Sequence, residues 1–168
     1  MEAARLVTNG NEVIAQAFYL SAMKWMILVA ALTFAGLGKA QETESKDVEV
    51  VVRNFLSAMA ASDTSTVMSC MYYDFTLKSV VADRTHQTIL VKEDEKRFLS
   101  SIAEMHTEKW EERISNITVH IDHHLALLWC DYEFYVDDKL SHKGADAFQL
   151  IRTDKGWKIF YICDTRHK

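Results

Sequence analysis

Apolar residues recur every three or four positions over residues 46–61, where Val48, Val51, Val52, Phe55 and Met59 share one stripe. That spacing predicts an amphipathic helix with one buried face. Asp63 is a good N-cap for a short second helix carrying Val67, Met68 and Met71. "FTLKSVV" (75–81) and "QTILV" (87–91) read as two strands around a polar turn at 82–86. "KEDEKRFLSSIAEM" (92–105) predicts a third helix, with acids in its first turn and Phe98, Leu99, Ile102 and Met105 on one face. From Trp110 the period drops to two. Strands are expected over 110–121, 125–136, 140–152 and 157–164, joined by the turn-rich segments "DHH", "DDK" and "TDKG". Four strands joined so closely predict an antiparallel meander.

Alternation also predicts register. Ala126, Leu128, Cys130, Tyr132 and Phe134 fall on the inner face of their strand, and Trp129, Asp131 and Glu133 on the outer. A two-residue loop at Asp122–His123 would set Val119 opposite Ala126 and Ile117 opposite Leu128. A three-residue loop at Asp137–Lys139 would set His142 opposite Phe134 and Asp146 opposite Cys130. A four-residue loop at Thr153–Gly156 would set Leu150 opposite Ile159, Phe148 opposite Tyr161 and Asp146 opposite Cys163. Every loop keeps apolar faces together, an agreement across levels that supports the register. Three N-terminal helices packed on a curved antiparallel meander make an α+β domain, with a pocket where the sheet curls around the helices.

The first forty residues break the pattern. Met23-Lys24 is a short basic start, Trp25 to Gly38 an apolar run of fourteen residues, and Gly38-Lys39-Ala40 offers small residues where a signal peptidase cleaves. This is the tripartite form of a secretory signal, and the run is short for a bilayer span. The alternative, an anchor helix over Val13–Leu37, would place Lys24 in the membrane at a cost of about 3 kcal/mol. The reading is therefore an upstream extension (1–22), a signal peptide (23–40) and one domain (41–168). The domain is expected to be secreted or periplasmic, with no stable membrane anchor after cleavage.

Composition is ordinary for a globular chain of 168 residues: 49% hydrophobic, 26% charged, no proline and five glycines. The formal charge of −5 and the scattered Lys and Arg argue against a nucleic-acid partner. The cysteines are Cys70, Cys130 and Cys163. On the predicted register Cys130 and Cys163 share a face with a strand between them, about 9–10 Å apart. A disulfide allows a Cα separation of only about 6.8 Å. Three free thiols are expected.

Two segments carry candidate chemistry. "HIDHH" places His120, Asp122, His123 and His124 within five positions, which suggests metal. A metal ion needs several ligands converging on one point. A hairpin tip at Asp122–His123 sends His120 and His124 to opposite sides, so a turn is favoured and no metal is assigned. "SHKGADAF" is more promising. His142, Gly144, Asp146 and Phe148 would share the inner face, with Gly144 leaving space. A carboxylate there, near Cys130, Tyr132 and Tyr161, should have a raised pKa and suit general acid or base work. Asp146 is the candidate acid or base, with His142 or Tyr132 assisting. The alternative is that donors satisfy Asp146 and it only shapes the pocket. Tyr72 and Asp74, at the end of the second helix, join Cys130, Phe134, Phe148 and Tyr161 as candidate ligand contacts.

The element order, together with "RISNITVHIDHHLAL", "YEFYVDDKLSHKGADAFQLIRTDKGWKI" and the closing "DTR", resembles the nuclear transport factor 2-like superfamily over residues 46–168. It is closest to its bacterial lumazine-binding branch. The resemblance implies a cone-shaped α+β fold. It leaves activity open, because related folds include isomerases, dehydratases and non-catalytic binding domains. Three readings follow: an exported domain binding a small apolar molecule without a cofactor, an isomerase- or dehydratase-type enzyme using Asp146, or a dimeric interaction module. The predicted outer face carries Trp129, Tyr135, Ile151, Phe160 and Ile162, which is apolar enough to suggest a homodimer.

Overall fold

A computed structural model describes residues 41–104 and 108–167. The expected signal segment, the expected upstream extension and Met105 lie outside the described residues. Helix α1 covers 41–60. It is followed by α2 (Thr64–Cys70), β1 (Met71–Ala82), β2 (Thr88–Lys92) and α3 (Glu95–Ala103). Then come β3 (Trp110–Asp122), β4 (Leu125–Val136), β5 (Lys139–Thr153) and β6 (Gly156–Thr165). The stripe on α1 is as expected: Val48, Val52 and Phe55 are buried. Met71 is the exception to the second helix, since it already begins β1.

Asp63 caps α2. Its carboxylate accepts the Thr66 amide at 3.0 Å and the Thr66 hydroxyl at 2.6 Å. Asp63→Ala leaves the Thr66 amide and hydroxyl without this partner. It is expected to lower stability by about 1 kcal/mol, read as a lower urea midpoint; an unchanged midpoint would show that the cap contributes nothing.

The six strands form one sheet in the order β2-β1-β6-β5-β4-β3. It is mixed rather than purely antiparallel: β3 to β6 make the expected meander, and β1 then pairs in parallel with β6. Alternation within one strand carries no information about that long-range neighbour. Phe55 on α1 ties the helices to the sheet, with its ring 6.3 Å from Phe98 of α3 and 6.2 Å from Phe148 of β5.

Three β-bulges separate the real register from the expected one. The first hairpin turns at His123–His124, with Asp122 paired to Leu125, so Val119 faces Leu128 and Ile121 faces Ala126. The shift is an even number of residues, so the buried face is kept. An extra residue then enters β3 between Ser115 and Thr118. Asn116 adopts φ +51 there, and its amide donates to Asp131 at 2.7 Å. Beyond this bulge the faces exchange, and Glu112 comes opposite Phe134. The second hairpin has a two-residue tip, Asp137–Asp138, both residues at positive φ. A bulge at Ser141 restores the expected pairs His142–Phe134 and Asp146–Cys130. The third bulge lies in β6 at Phe160. It keeps Leu150 opposite Ile159 but sets Phe148 opposite Ile162 and Asp146 opposite Asp164.

Candidate functional site

A cavity of about 510 Å³ lies between α1, α3 and the inner face of the sheet. Its walls are mostly apolar and include Phe55, Phe98, Trp110, Phe134 and Phe148. Asp146, Glu112, Asp164, Tyr132, His142 and Arg166 add polar groups to the lining.

Each polar group owes its place to local structure. Asp146 points inward from the middle of β5 and is only 5% exposed. Glu112 faces inward because the Asn116 bulge exchanges the faces of β3. Asp164 faces inward because the Phe160 bulge does the same in β6. The carboxyls of Asp146 and Glu112 lie within reach of a shared hydrogen bond. Two carboxyls can share such a bond only if one is protonated. Burial, then the charges of Glu112 and Asp164, push Asp146 up to about 9. Burial chiefly, with the charge of Asp164, pushes Glu112 up to about 7, while its bond to Asp146 and the Arg166 guanidinium oppose the rise. Near neutrality the pair therefore holds a proton, in the manner of like-charged carboxyls crowded together.

Asp164 has its own partner: Arg166 Nε donates to Asp164 Oδ2 at 2.8 Å. Arg166 thus lines the cavity rim while its side chain stays 54% exposed. Tyr132 donates its hydroxyl to the Thr165 carbonyl at 2.9 Å, so its proton is engaged in holding the end of β6. Burial, then the charges of Asp164 and Asp146, raise its pKa. His142 packs its ring 5.0 Å from Phe134 and 5.8 Å from Tyr132. Burial, then the nearby Arg166 charge, lower its pKa, which favours neutral imidazole.

Among the residues expected at the site, Asp146, His142, Tyr132, Phe134 and Phe148 all line the cavity. Tyr72, Asp74, Cys130 and Tyr161 do not. Between Met71 and Thr76 the pairing of β1 with β6 is interrupted. Tyr72 packs its ring at a tilt against Tyr73 in that segment and Asp74 is exposed, both away from the cavity. Tyr161 is turned to the outer face by the Phe160 bulge, where Lys78 Nζ lies 5.7 Å from its ring centre. Cys163 moves outward with it, so Cys130 and Cys163 do not share a face. Ile162 moves inward and leaves the predicted outer patch. Cys130 is fully buried beside Asp146, its partner on β5, and burial, then Asp146, push its thiol up to about 12. All three cysteines are free. Gly144 leaves no space either: a Cβ there would stand 1.9 Å from the Thr165 carbonyl oxygen.

Glu112 and Asp164 were not expected at the site. Slips in alternation mark both. Apolar positions run Trp110, Ile114 and then Ile117, Val119, Ile121, changing parity at Asn116. They run Trp157, Ile159 and then Ile162, changing parity again. "HIDHH" is a hairpin tip: His123 and His124 form the turn, and the Asp122–His123 pair, 3.8 Å apart, is 90% exposed on both sides.

No family model matches the chain, and no curated protein does. Solved structures do. A candidate dehydratase of the nuclear transport factor 2-like family from Streptomyces avermitilis superposes with a TM-score of 0.60 at 15% identity, covering 76% of this chain and 99% of that one. A candidate scytalone dehydratase from Novosphingobium aromaticivorans gives 0.62 at 10% identity, covering 78% and 89%. A nuclear transport factor 2-like superfamily protein from Salmonella enterica gives 0.58 at 10% identity, covering 76% and 94%. Identities this low speak to architecture and not to activity. The chain has the nuclear transport factor 2-like fold.

Proposed function

We propose that this domain binds a small, largely apolar molecule in the cavity, with a polar group of that molecule directed at Asp146 and Glu112. The observation that carries this reading is the cavity itself. Its volume of about 510 Å³ is in the range of small-molecule sites, and its aromatic walls surround a few convergent polar groups. The leader pattern over residues 23–40 supports an exported protein. Trp129 and Leu125, 48% and 52% exposed on β4, support self-association through the outer face.

Native mass spectrometry of protein purified from its own host tests the reading. A small molecule is expected to be retained and to be lost on denaturation. A ligand-free chain that also binds no member of an apolar compound library would overturn it.

One observation favours a second reading, a general acid–base enzyme of the isomerase or dehydratase type. Asp146 and Glu112, both with raised pKa, line the cavity together, and a proton held between them would be in place for donation or uptake. Asp146→Asn separates the two readings, since retained ligand with lost turnover supports the enzyme.

A further inference from the structure

The charges around the cavity do not balance. On β6, Asp164 and Arg166 neutralise each other across 2.8 Å, and Arg166 also reaches Ser79 at 3.5 Å. On α3, Arg97 lies 3.6 Å from Glu93 and is 83% exposed. Glu111, at the start of β3, is held by Arg113 and Lys109. Glu108 precedes β3 and is exposed. On β1, Lys78 extends over Tyr161 on the opposite face. On β4 the Tyr132 hydroxyl is bonded to Thr165, and on β5 His142 is disposed to neutrality. That leaves Glu112 and Asp146. Among the described residues, Arg166 is the cation whose charge acts on them, and it is bound to Asp164. Asp146 Oδ2 is sealed from solvent and accepts no hydrogen bond from an N–H or hydroxyl donor among the described residues.

Burying carboxyls without a counter-charge is costly. Here it is tolerated by retaining a proton. A ligand that supplied positive charge would satisfy the pair directly. The walls suit such a ligand, because the rings of Trp110 and Phe134 line the cavity and an aromatic wall can attract a cation as well as cover an apolar body.

We propose that the cavity takes a small organic cation, an aromatic body bearing one protonated amine, with the ammonium seated against the Glu112–Asp146 carboxyls. This rests on the small-molecule reading above and names its ligand class. Ammonium binding favours the ionised pair and expels the shared proton to solvent. Affinity therefore rises with pH from 6 to 9, for as long as the amine itself stays protonated. An anionic ligand of the same shape is repelled, and a neutral one gains no such pH dependence.

Isothermal titration of the purified protein with tryptamine, tryptophol and indole-3-propionate tests this, since the three differ mainly in the charge of the terminal group. Tryptamine is expected to bind at least tenfold more tightly than either. Its affinity should rise between pH 6 and pH 9, and the proton release should appear as a dependence of the heat on buffer ionisation enthalpy. Glu112→Gln, checked for folding by its thermal transition, should narrow the gap between tryptamine and tryptophol. The pH series on the unaltered protein needs no variant. If tryptophol or indole-3-propionate binds as tightly, or if tryptamine affinity is flat or falls with pH, the cation proposal fails while the pocket reading stands. If none of the three binds, the proposal also fails, and a molecule retained in native mass spectrometry decides whether the pocket reading fails with it.

Discussion

Gly144→Ala lowers stability by about 3 kcal/mol, a large effect for one added methyl group. The Cβ would lie 1.9 Å from the Thr165 carbonyl oxygen and 2.9 Å from Tyr132 Cε1. The first contact is with backbone, so rotation of a side chain cannot relieve it. The end of β6 has to move away. Three interactions depend on its position: the Tyr132 hydroxyl on the Thr165 carbonyl at 2.9 Å, the Ala145 amide on Thr165 Oγ1 at 3.0 Å, and the Lys143–His167 bridge. Each lost bond contributes about 1 kcal/mol on top of the overpacking. Asp164 and Arg166 flank Thr165, so ligand binding should weaken together with stability. Chemical denaturation measures the change. A variant within about 0.5 kcal/mol of the parent, the usual range for a neutral surface substitution, would show that β6 does not approach Gly144 this closely.

The second large effect is in pH. Asp146 and Glu112 have folded-state pKa values of about 9 and about 7, above their ordinary 3.8 and 4.5. Between those limits the folded state holds protons that the unfolded chain has released. Their stabilising contribution is therefore complete below about pH 4 and is lost as pH rises towards 9. Asp63, Asp83 and Glu111 act in the opposite sense. Hydrogen bonds hold their pKa values down, so their contribution is lost as pH falls through the acid range. Stability should thus peak near pH 5 and fall by about 3 kcal/mol or more by pH 9. Asp146→Asn removes one of the two ionisations, and its amide can still donate to Glu112. The variant is expected to lose much less stability between pH 6 and pH 9, and to be at least as stable as the parent at pH 9. Thermal unfolding across that range checks both statements. A parent Tm that is flat or rising from pH 6 to pH 9 would refute the buried, proton-sharing pair.

Local periodicity was enough to locate the elements. The stripe on α1, the Asp63 cap, the amphipathic α3 and all four strands of the meander follow from spacing and turn residues, which act over a few positions. Asp146, His142 and Phe148 were legible as inner-face residues for the same reason: β5 is read by parity from its own sequence, and its bulge at Ser141 precedes them. What spacing could not supply was pairing. The parallel contact of β1 with β6 joins residues more than eighty positions apart. The interrupted start of β1 removes Tyr72 and Asp74 from the cavity. The Phe160 bulge exchanges Tyr161 for Ile162 and Asp164, and the Asn116 bulge turns Glu112 inward.

By itself, then, the sequence determined one half of the site, a carboxylate facing into an aromatic-walled interior. Only the tertiary structure decided that it meets a second carboxylate and that the nearby guanidinium is committed elsewhere. The physical reason is that a single inserted residue reverses every side chain beyond it. Where the insertion falls is set by how two strands fit together, not by either strand alone.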